Sequence, residues 1–378
     1  MKLSSDRILT CHVGSLPRPD DLVEMLAARD RGDDYDAAAL ASRITSATYE
    51  IVAKQVAAGV DIVNDGEMGK FVYATYVKER LSGFKGEKDR PVPKDLQDFP
   101  NYAQRIGWPE ITRPVCSSPL DPLDSSAVAA DIENLRAATH GAGAVDIFMS
   151  AASPGVISAF LKNDYYPSHE AYLMALADIM KAEYDAIHQA GFVLQLDCPD
   201  LAMSRHIHFN QFDHETYAKM QELQVRALNH ATRDIPAEDM RLHLCWGNYE
   251  GPHHHDVPLA EIIETVLQAR PAGLSFEAAN PRHAHEYKVF AEVDVPEHKV
   301  LFPGVLDTTT NYIEHPELIA DRIRNFANIV GRERVIASTD CGFSTIAGAP
   351  LVDPEIVWAK FEAMAEGARL ASRRLWNG

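Results

Sequence analysis

The chain reads as an α/β protein, a (β/α)8 TIM barrel with an insertion after the second βα unit, and three features of its 378 residues carry that reading. Short apolar or β-branched runs recur along its length, each followed by a segment of helical periodicity. Polar residues gather at the C-terminal ends of those runs. One stretch, 84–143, breaks the rhythm. Alternating strand and helix require a parallel sheet with crossover helices. Eight such units suggest closure into a barrel, with an open doubly wound sheet as the alternative.

The strand-like runs are, in order, ILTCHVGS (8–15), VDIVND (60–65), VDIFMSA (145–151), FVLQLD (192–197), RLHLCW (241–246), GLSFEA (273–278), KVLFPGVL (299–306) and RVIASTD (334–340). Between the last two lies HPELIADRIRNFANIV (315–330), where Leu318, Ile319, Ile323, Phe326, Ala327 and Val330 recur at helical spacing. The proline-rich segment 84–143 contains one clear helical pattern, SSAVAADIENLRAAT, and reads as an inserted hairpin or cap over the mouth of the barrel; a surface excursion without function is the alternative. The whole of 1–378 is thus expected to be a single catalytic barrel. No strand is followed by GxGxxG or GxxxxGK[ST], so nucleotide-binding readings lose their main support.

Composition narrows the partners. With 36 Lys and Arg against 55 Asp and Glu, the formal charge is −19, which argues against nucleic acid or an anionic membrane surface. No apolar run is long enough to span a bilayer, and the N-terminus has no signal-peptide core, so a cytoplasmic location is expected. Five cysteines, an odd number in a chain this long, fit reduced thiols.

A barrel brings the C-terminal ends of all its strands to one face. That face would collect Gly14 and Ser15, Asp65 and Glu67, Asp197 and Cys198, His243 and Cys245, Glu277, Asp307, and Asp340 and Cys341. In an extended strand, His243 and Cys245 point the same way. With Glu277 and Cys341 they could form a zinc shell, since an imidazole, two thiolates and a carboxylate suit zinc and soft sulfur disfavours magnesium or calcium. Taken singly, the thiols and the histidine have plainer explanations: a buried thiol is usually a small hydrophobe and a strand-end histidine is usually just hydrogen-bonded. Glu277, ending an apolar strand, is harder to dismiss, because a carboxylate is almost never fully buried unpaired. The run His253–His255 after Gly251-Pro252 reads as a solvated turn, and Cys11 and Cys116 as ordinary thiols; Cys198, next to the mouth, could touch substrate, though an ordinary thiol is the better reading. Tyr165 and Tyr166 could pack on a flat co-substrate or belong to the core.

HVGSLPRP, GVDIVNDGEMGK, LQLDCPDLA and TDCGF, together with H-x-C and the later glutamate, resemble in order the catalytic barrel of the cobalamin-independent methionine synthase family. The resemblance implies a zinc ion held by His243, Cys245, Glu277 and Cys341. It also implies an amino-acid thiol seated by Gly14, Ser15, Glu67 and Asp197, with Asp65 beside them. Full-length members have two barrels, and this length allows one. The family carries a histidine in the loop after the seventh strand; the matching GVLDTTTNY has none, which leaves Asp307 as the candidate catalytic group.

The implied activity is zinc-dependent methyl transfer from a folate or corrinoid donor to homocysteine or a similar thiol. The alternative is an epoxide or alkyl transfer to a thiol, as in epoxyalkane:coenzyme M transferases. A sulfonated acceptor would call for basic residues at the mouth, for which Arg18, Lys70, Arg205 and Arg282 are candidates. Glu67 and Asp197 favour an ammonium group and so an amino-acid thiol. A non-catalytic zinc barrel would have a closed site, and a decarboxylase of the uroporphyrinogen type would need no zinc.

Overall fold

The computed structural model describes residues 1–107, 112–123 and 126–377, so parts of the predicted insertion, including the predicted helix start at Ser125, lie outside the described residues. Two helices, α1 (Asp20–Arg31) and α2 (Ala37–Ala57), precede the short strand β1 (Ile62–Val63). The Asp36 carboxylate starts α2 by accepting from the N–H groups of Ala38 and Ala39, which the first helical turn leaves without partners. A hairpin follows, β2 (Phe84–Asp89) with β3 (Thr112–Cys116), antiparallel, and between its strands stand α3 (Lys94–Asp98) and α4 (Pro100–Arg105).

Alternation then resumes with α5 (Ser126–Thr139), β4 (Asp146–Ala152), α6 (Pro154–Phe160), α7 (His169–Gln189), β5 (Val193–Asp197), α8 (His214–Ala231), β6 (Met240–Leu244) and α9 (Leu259–Leu267). The series ends with β7 (Gly273–Phe276), β8 (Val300–Leu306), α10 (Pro316–Val330), β9 (Ser338–Thr339) and α11 (Pro354–Trp376). The helix α5 packs against α2 and α7, so it belongs to the helical layer of the fold and not to the hairpin segment that precedes it.

Seven strands form one curled parallel sheet in the order β1-β4-β5-β6-β7-β8-β9. The expected first strand, 8–15, is not a regular strand, but Thr10 forms a parallel bridge with Ala337. Cys11 donates to the Ala337 carbonyl at 2.7 Å, and the Thr10 carbonyl accepts from Asp61 and Ile62 at 3.1 and 3.0 Å. This segment therefore joins the β9 edge of the sheet to the β1 edge.

Burial follows the expected periodicities with one exception. On α10, Ile319, Ala320, Ile323, Phe326, Ala327 and Val330 are buried, whereas Leu318 points outward, 47% exposed. Inside the curl, Leu9, Cys11, Ile62, Phe148, Val193, Val300, Phe302 and Ile336 form a separate apolar floor. Arg241 stands in it, 1% exposed. Its Nε donates to Gln195 Oε1 and its Nη2 to the His12 carbonyl, each at 2.7 Å, and its guanidinium lies 3.7 Å from the Phe148 ring centroid. A buried cation survives only with its hydrogen-bonding capacity so engaged. Among the described residues no helix is long and apolar enough to cross a membrane.

Candidate active site

Strand β6 sets the site by parity. Arg241, His243 and Cys245 alternate with Leu242 and Leu244, so the first three face the interior of the curl and the leucines face the helices. Above Arg241, the ligand atoms of His243, Cys245 and Cys341 all lie within 4.8 Å of one another. The two sulfur atoms are 3.7 Å apart. That is too long for a covalent S–S bond and close to the roughly 3.8 Å that two thiolates adopt on one tetrahedral zinc with Zn–S near 2.3 Å. All three side chains are buried.

Neither ring nitrogen of His243 meets a partner at full hydrogen-bond geometry, although the Ser275 carbonyl lies close to the ring. Burial, followed by the positive charge of Arg241, drops its pKa to about 3, so the imidazole is neutral and able to donate a lone pair. Contact with Cys341, then burial, pushes the Cys245 thiol well up. An orphaned buried imidazole beside two close sulfurs is a donor set that fits zinc.

Glu277 is near but stands outside that trio. Its Oε1 accepts from the Trp246 N–H at 2.7 Å and its Oε2 from the Asn280 amide at 2.8 Å, while it also contacts Cys245. Burial and then Cys245 raise its pKa well above the carboxylate range. Asp340 fixes the loop that carries it: one carboxylate accepts the backbone N–H groups of Ala278, Ala279 and Asn280 at 2.7–2.8 Å. Position 304 must be glycine for this, because a Cβ there would sit 2.0 Å from Asp340 Oδ1.

A cavity of about 610 Å³ opens onto the trio and is also lined by Ser15, Glu67 and Asp197. Glu67 has φ +58, a left-handed conformation uncommon for a residue with a side chain. Asp65 holds it there by accepting its N–H at 2.9 Å. Asp65 thus shapes the turn and is not itself in the cavity wall. Gly14, φ +149, brings the chain past Glu67 where a Cβ-bearing residue would be strained. Asp197 takes the Gln195 amide at 2.8 Å, and burial, then the neighbouring Glu67, raises its pKa to about 8.

The structure does not bring Asp307 to the cavity wall. Its Oδ1 accepts from both the N–H and the hydroxyl of Thr309, at 2.7 and 2.8 Å, an Asx turn that folds the carboxylate back on its own loop. Thr308 instead meets Asn248, a wall residue, at 2.9 Å. Of the basic candidates, Arg18 and Lys70 are buried behind Glu67 and spend their donors on the carbonyls of Glu67, Lys70 and Ser150. Arg205 and Arg282 lie outside the wall, and so do Cys198, Tyr165 and Tyr166.

The wall has two arginines that the sequence reading passed over, Arg90 and Arg113, at the ends of the hairpin. Arg113 is 8% exposed, stacks 4.1 Å from the Phe160 ring centroid, and has its Nη1 without a hydrogen-bond partner. Burial, then Arg90, lowers its pKa to about 9. Only the pairing of two arginines across one hairpin, in RPVP and TRPV, could have signalled them.

A curled parallel sheet with two thiols, an imidazole and acids at the C-terminal ends of its strands defines the class: an α/β enzyme with a thiol-rich site at the mouth of its sheet. Residues 155–354 match the family described as cobalamin-independent synthase, catalytic domain, and the chain belongs to that family. Membership makes it an enzyme of the methyltransferase class. It is 24% identical over 371 residues to a methionine synthase of Thermococcus kodakarensis, covering 97% of this chain and 94% of that one. It is 25% identical over 372 residues to a methionine synthase of Pyrococcus furiosus, covering 97% and 93%. The fold is similar to that of a B12-independent methionine synthase from a Shewanella species in complex with selenomethionine, with TM-score 0.76, 20% identity, and 98% of this chain and 100% of that one covered.

Proposed function

We propose that the chain methylates a thiol amino acid, homocysteine or a close analogue, using a folate or corrinoid methyl donor and a zinc ion held by His243, Cys245 and Cys341 with Glu277 as fourth donor. The observation that carries this reading is the convergence of the His-Cys-Cys trio with Glu67 and Asp197 on one cavity. The relatives named methionine synthase across nearly the whole chain support it. On the same reading, residues 1–378 form one (β/α)8 barrel, with 8–15 as its first strand and the hairpin segment as an insertion over its mouth.

A zinc ion bound there would act as a Lewis acid that keeps a substrate thiol, whose free pKa is about 8.5, in its nucleophilic form at neutral pH. The protein's own groups do the rest. His243, neutral in its buried setting, offers a lone pair without first losing a proton. Glu67 and Asp197 place two carboxyl groups where an ammonium group gives each a counter-charge, and Gly14 and Ser15 shape the wall beside them. Phe160 and Tyr73 exclude water from the same cavity, and Arg113 offers a cation to an anionic group on either co-substrate. Asp307 is assigned the shaping of the β8 loop, which sets Thr308 against Asn248.

The test is methionine formation, followed by mass spectrometry, from homocysteine with a methyl-folate in one reaction and methylcobalamin in another. Methionine in either, absent with Cys341→Ala, supports the reading and names the donor class. Zinc-loaded protein that binds homocysteine yet gives none in either would overturn methyl transfer from these donors. Arg113 favours a second reading, alkyl transfer to a sulfonated thiol, which predicts tighter binding of a thioethanesulfonate than of homocysteine, lost in Arg113→Gln.

A further inference from the structure

The loop after β6 carries a second group of metal-ligating side chains, beginning nine residues beyond Cys245 and sharing no residue with the thiol site. Asp98, at the end of α3, and His254 and His255 offer ligand atoms that all lie within 4.8 Å of one another. Both imidazoles aim Nε2 at one carboxylate oxygen, Asp98 Oδ2, at 2.9 and 2.6 Å, and their rings are 4.2 Å apart. Consecutive side chains seldom converge on one atom. Here the convergence is built in from below: His253 has φ +53, and the buried Asp95, three residues before Asp98 on α3, accepts both the His253 N–H and the Tyr249 hydroxyl. The His253 ring is clamped by Asp256 at 2.8 Å. The next two histidines are thereby presented to the same short helix that bears Asp98.

We propose that Asp98, His254 and His255 form a divalent transition-metal site, of the zinc or nickel kind, that staples the α3 segment of the hairpin to the loop after β6. Two imidazole nitrogens and one carboxylate suit these ions, and alkaline-earth ions prefer all-oxygen shells. An ion would stand between the two Nε2 atoms and Oδ2, with each ring carrying its proton on Nδ1. The side chains are 38%, 29% and 48% exposed, for His254, His255 and Asp98, which leaves room for water to complete the coordination. The staple would act on the cavity, since the hairpin supplies Arg90 and Arg113 to its wall and the loop supplies Tyr249 and Glu250. The inference does not depend on which reaction the thiol site performs.

The experiment is equilibrium dialysis of the full chain against Zn2+ with metal analysis, for the wild type, His254→Gln/His255→Gln, Asp98→Asn and Cys341→Ser. The surface site predicts that the wild type binds one more ion than the double histidine variant, and that Cys341→Ser retains that ion with its affinity unchanged. Asp98→Asn should weaken the ion at least tenfold, by the order of effect that perturbed metal shells show. In Cys341→Ser, zinc should also slow proteolysis within the hairpin segment, and it should not in a triple variant lacking both histidines. Equal stoichiometry in the wild type and the double variant at every free zinc level overturns the site. An extra ion without any change in proteolysis overturns the staple.

Discussion

Ser150 donates its hydroxyl to Glu67 Oε1 at 2.5 Å, across 83 residues of sequence, while the second oxygen of Glu67 has no hydrogen bond and stands 3.8 Å from Arg18. One oxygen of the acid is thus tied to Ser150, with the Lys70 ammonium 3.6 Å away, and the other is buried against Arg18, in a residue whose backbone is already held in an uncommon conformation.

Glu67→Gln keeps the shape and removes the charge. Homocysteine binding should weaken by about 2–3 kcal/mol, the worth of a hydrogen bond to a charged group in a buried site, with the fold unchanged. Calorimetry against homocysteine and against a des-amino thiol checks this, and only the former should lose affinity.

Cys341→Ala should lower bound zinc to the level of whatever remains outside the thiol site and abolish methyl transfer, while the melting temperature of the metal-free protein changes little. Removing a small buried side chain costs modestly compared with loss of the metal shell. Metal analysis and thermal melts of the metal-free protein separate the two effects.

Asp200 supplies a pH test away from the metal ligands. Its carboxyl accepts from Ser153 at 2.8 Å, and burial raises its pKa from 3.8 to about 7. The folded chain therefore keeps this proton where the unfolded chain has lost it, so the group's contribution is most favourable below pH 3.8 and is lost as pH rises to about 7. Asp200→Asn has no such proton to lose. Its stability relative to wild type should increase between these pH values, by up to a few kcal/mol, and then level off. Denaturant melts across that range check it; a flat difference would rule the buried ionisation out.

Arg241→Lys should destabilise the protein by about 3 kcal/mol or more, because an ammonium cannot serve Gln195 and the His12 carbonyl at once or stack on Phe148. Urea unfolding measures it. A stability change below 1 kcal/mol, within the usual range for surface substitutions, would remove Arg241 from the supports of the site.

These residues show what a sequence can disclose. The spacing of His243 and Cys245 was legible because strand parity is a local property, and the gathering of strand ends follows from the fold class alone. Asp307 looked catalytic from its place in the chain, yet the threonine two residues on recaptures it in a turn, a purely local competition. Arg90 and Arg113 were not legible, since their approach depends on how a hairpin from elsewhere in the chain folds over the sheet. Arg18 and Lys70 were visible as charges, but not as charges set against Glu67 with their donors spent on backbone carbonyls. Leu318 matches the apolar pattern of α10 by one residue and misses its buried face by its angle around the helix.

The parity of β6 has one more consequence. Arg241, His243 and Cys245 share one face, with Met240, Leu242 and Leu244 on the other, so inserting or deleting a single residue upstream in this strand would invert the whole set. Leu242 and Leu244 would then fill the lumen, and a cation, an imidazole and a thiol would be driven into the oily seam beneath the helices. For this chain, holding frame in five residues is a condition of both solvency in the core and chemistry at the mouth: a slipped strand would be expected to forfeit the fold before it could be seen to forfeit the reaction.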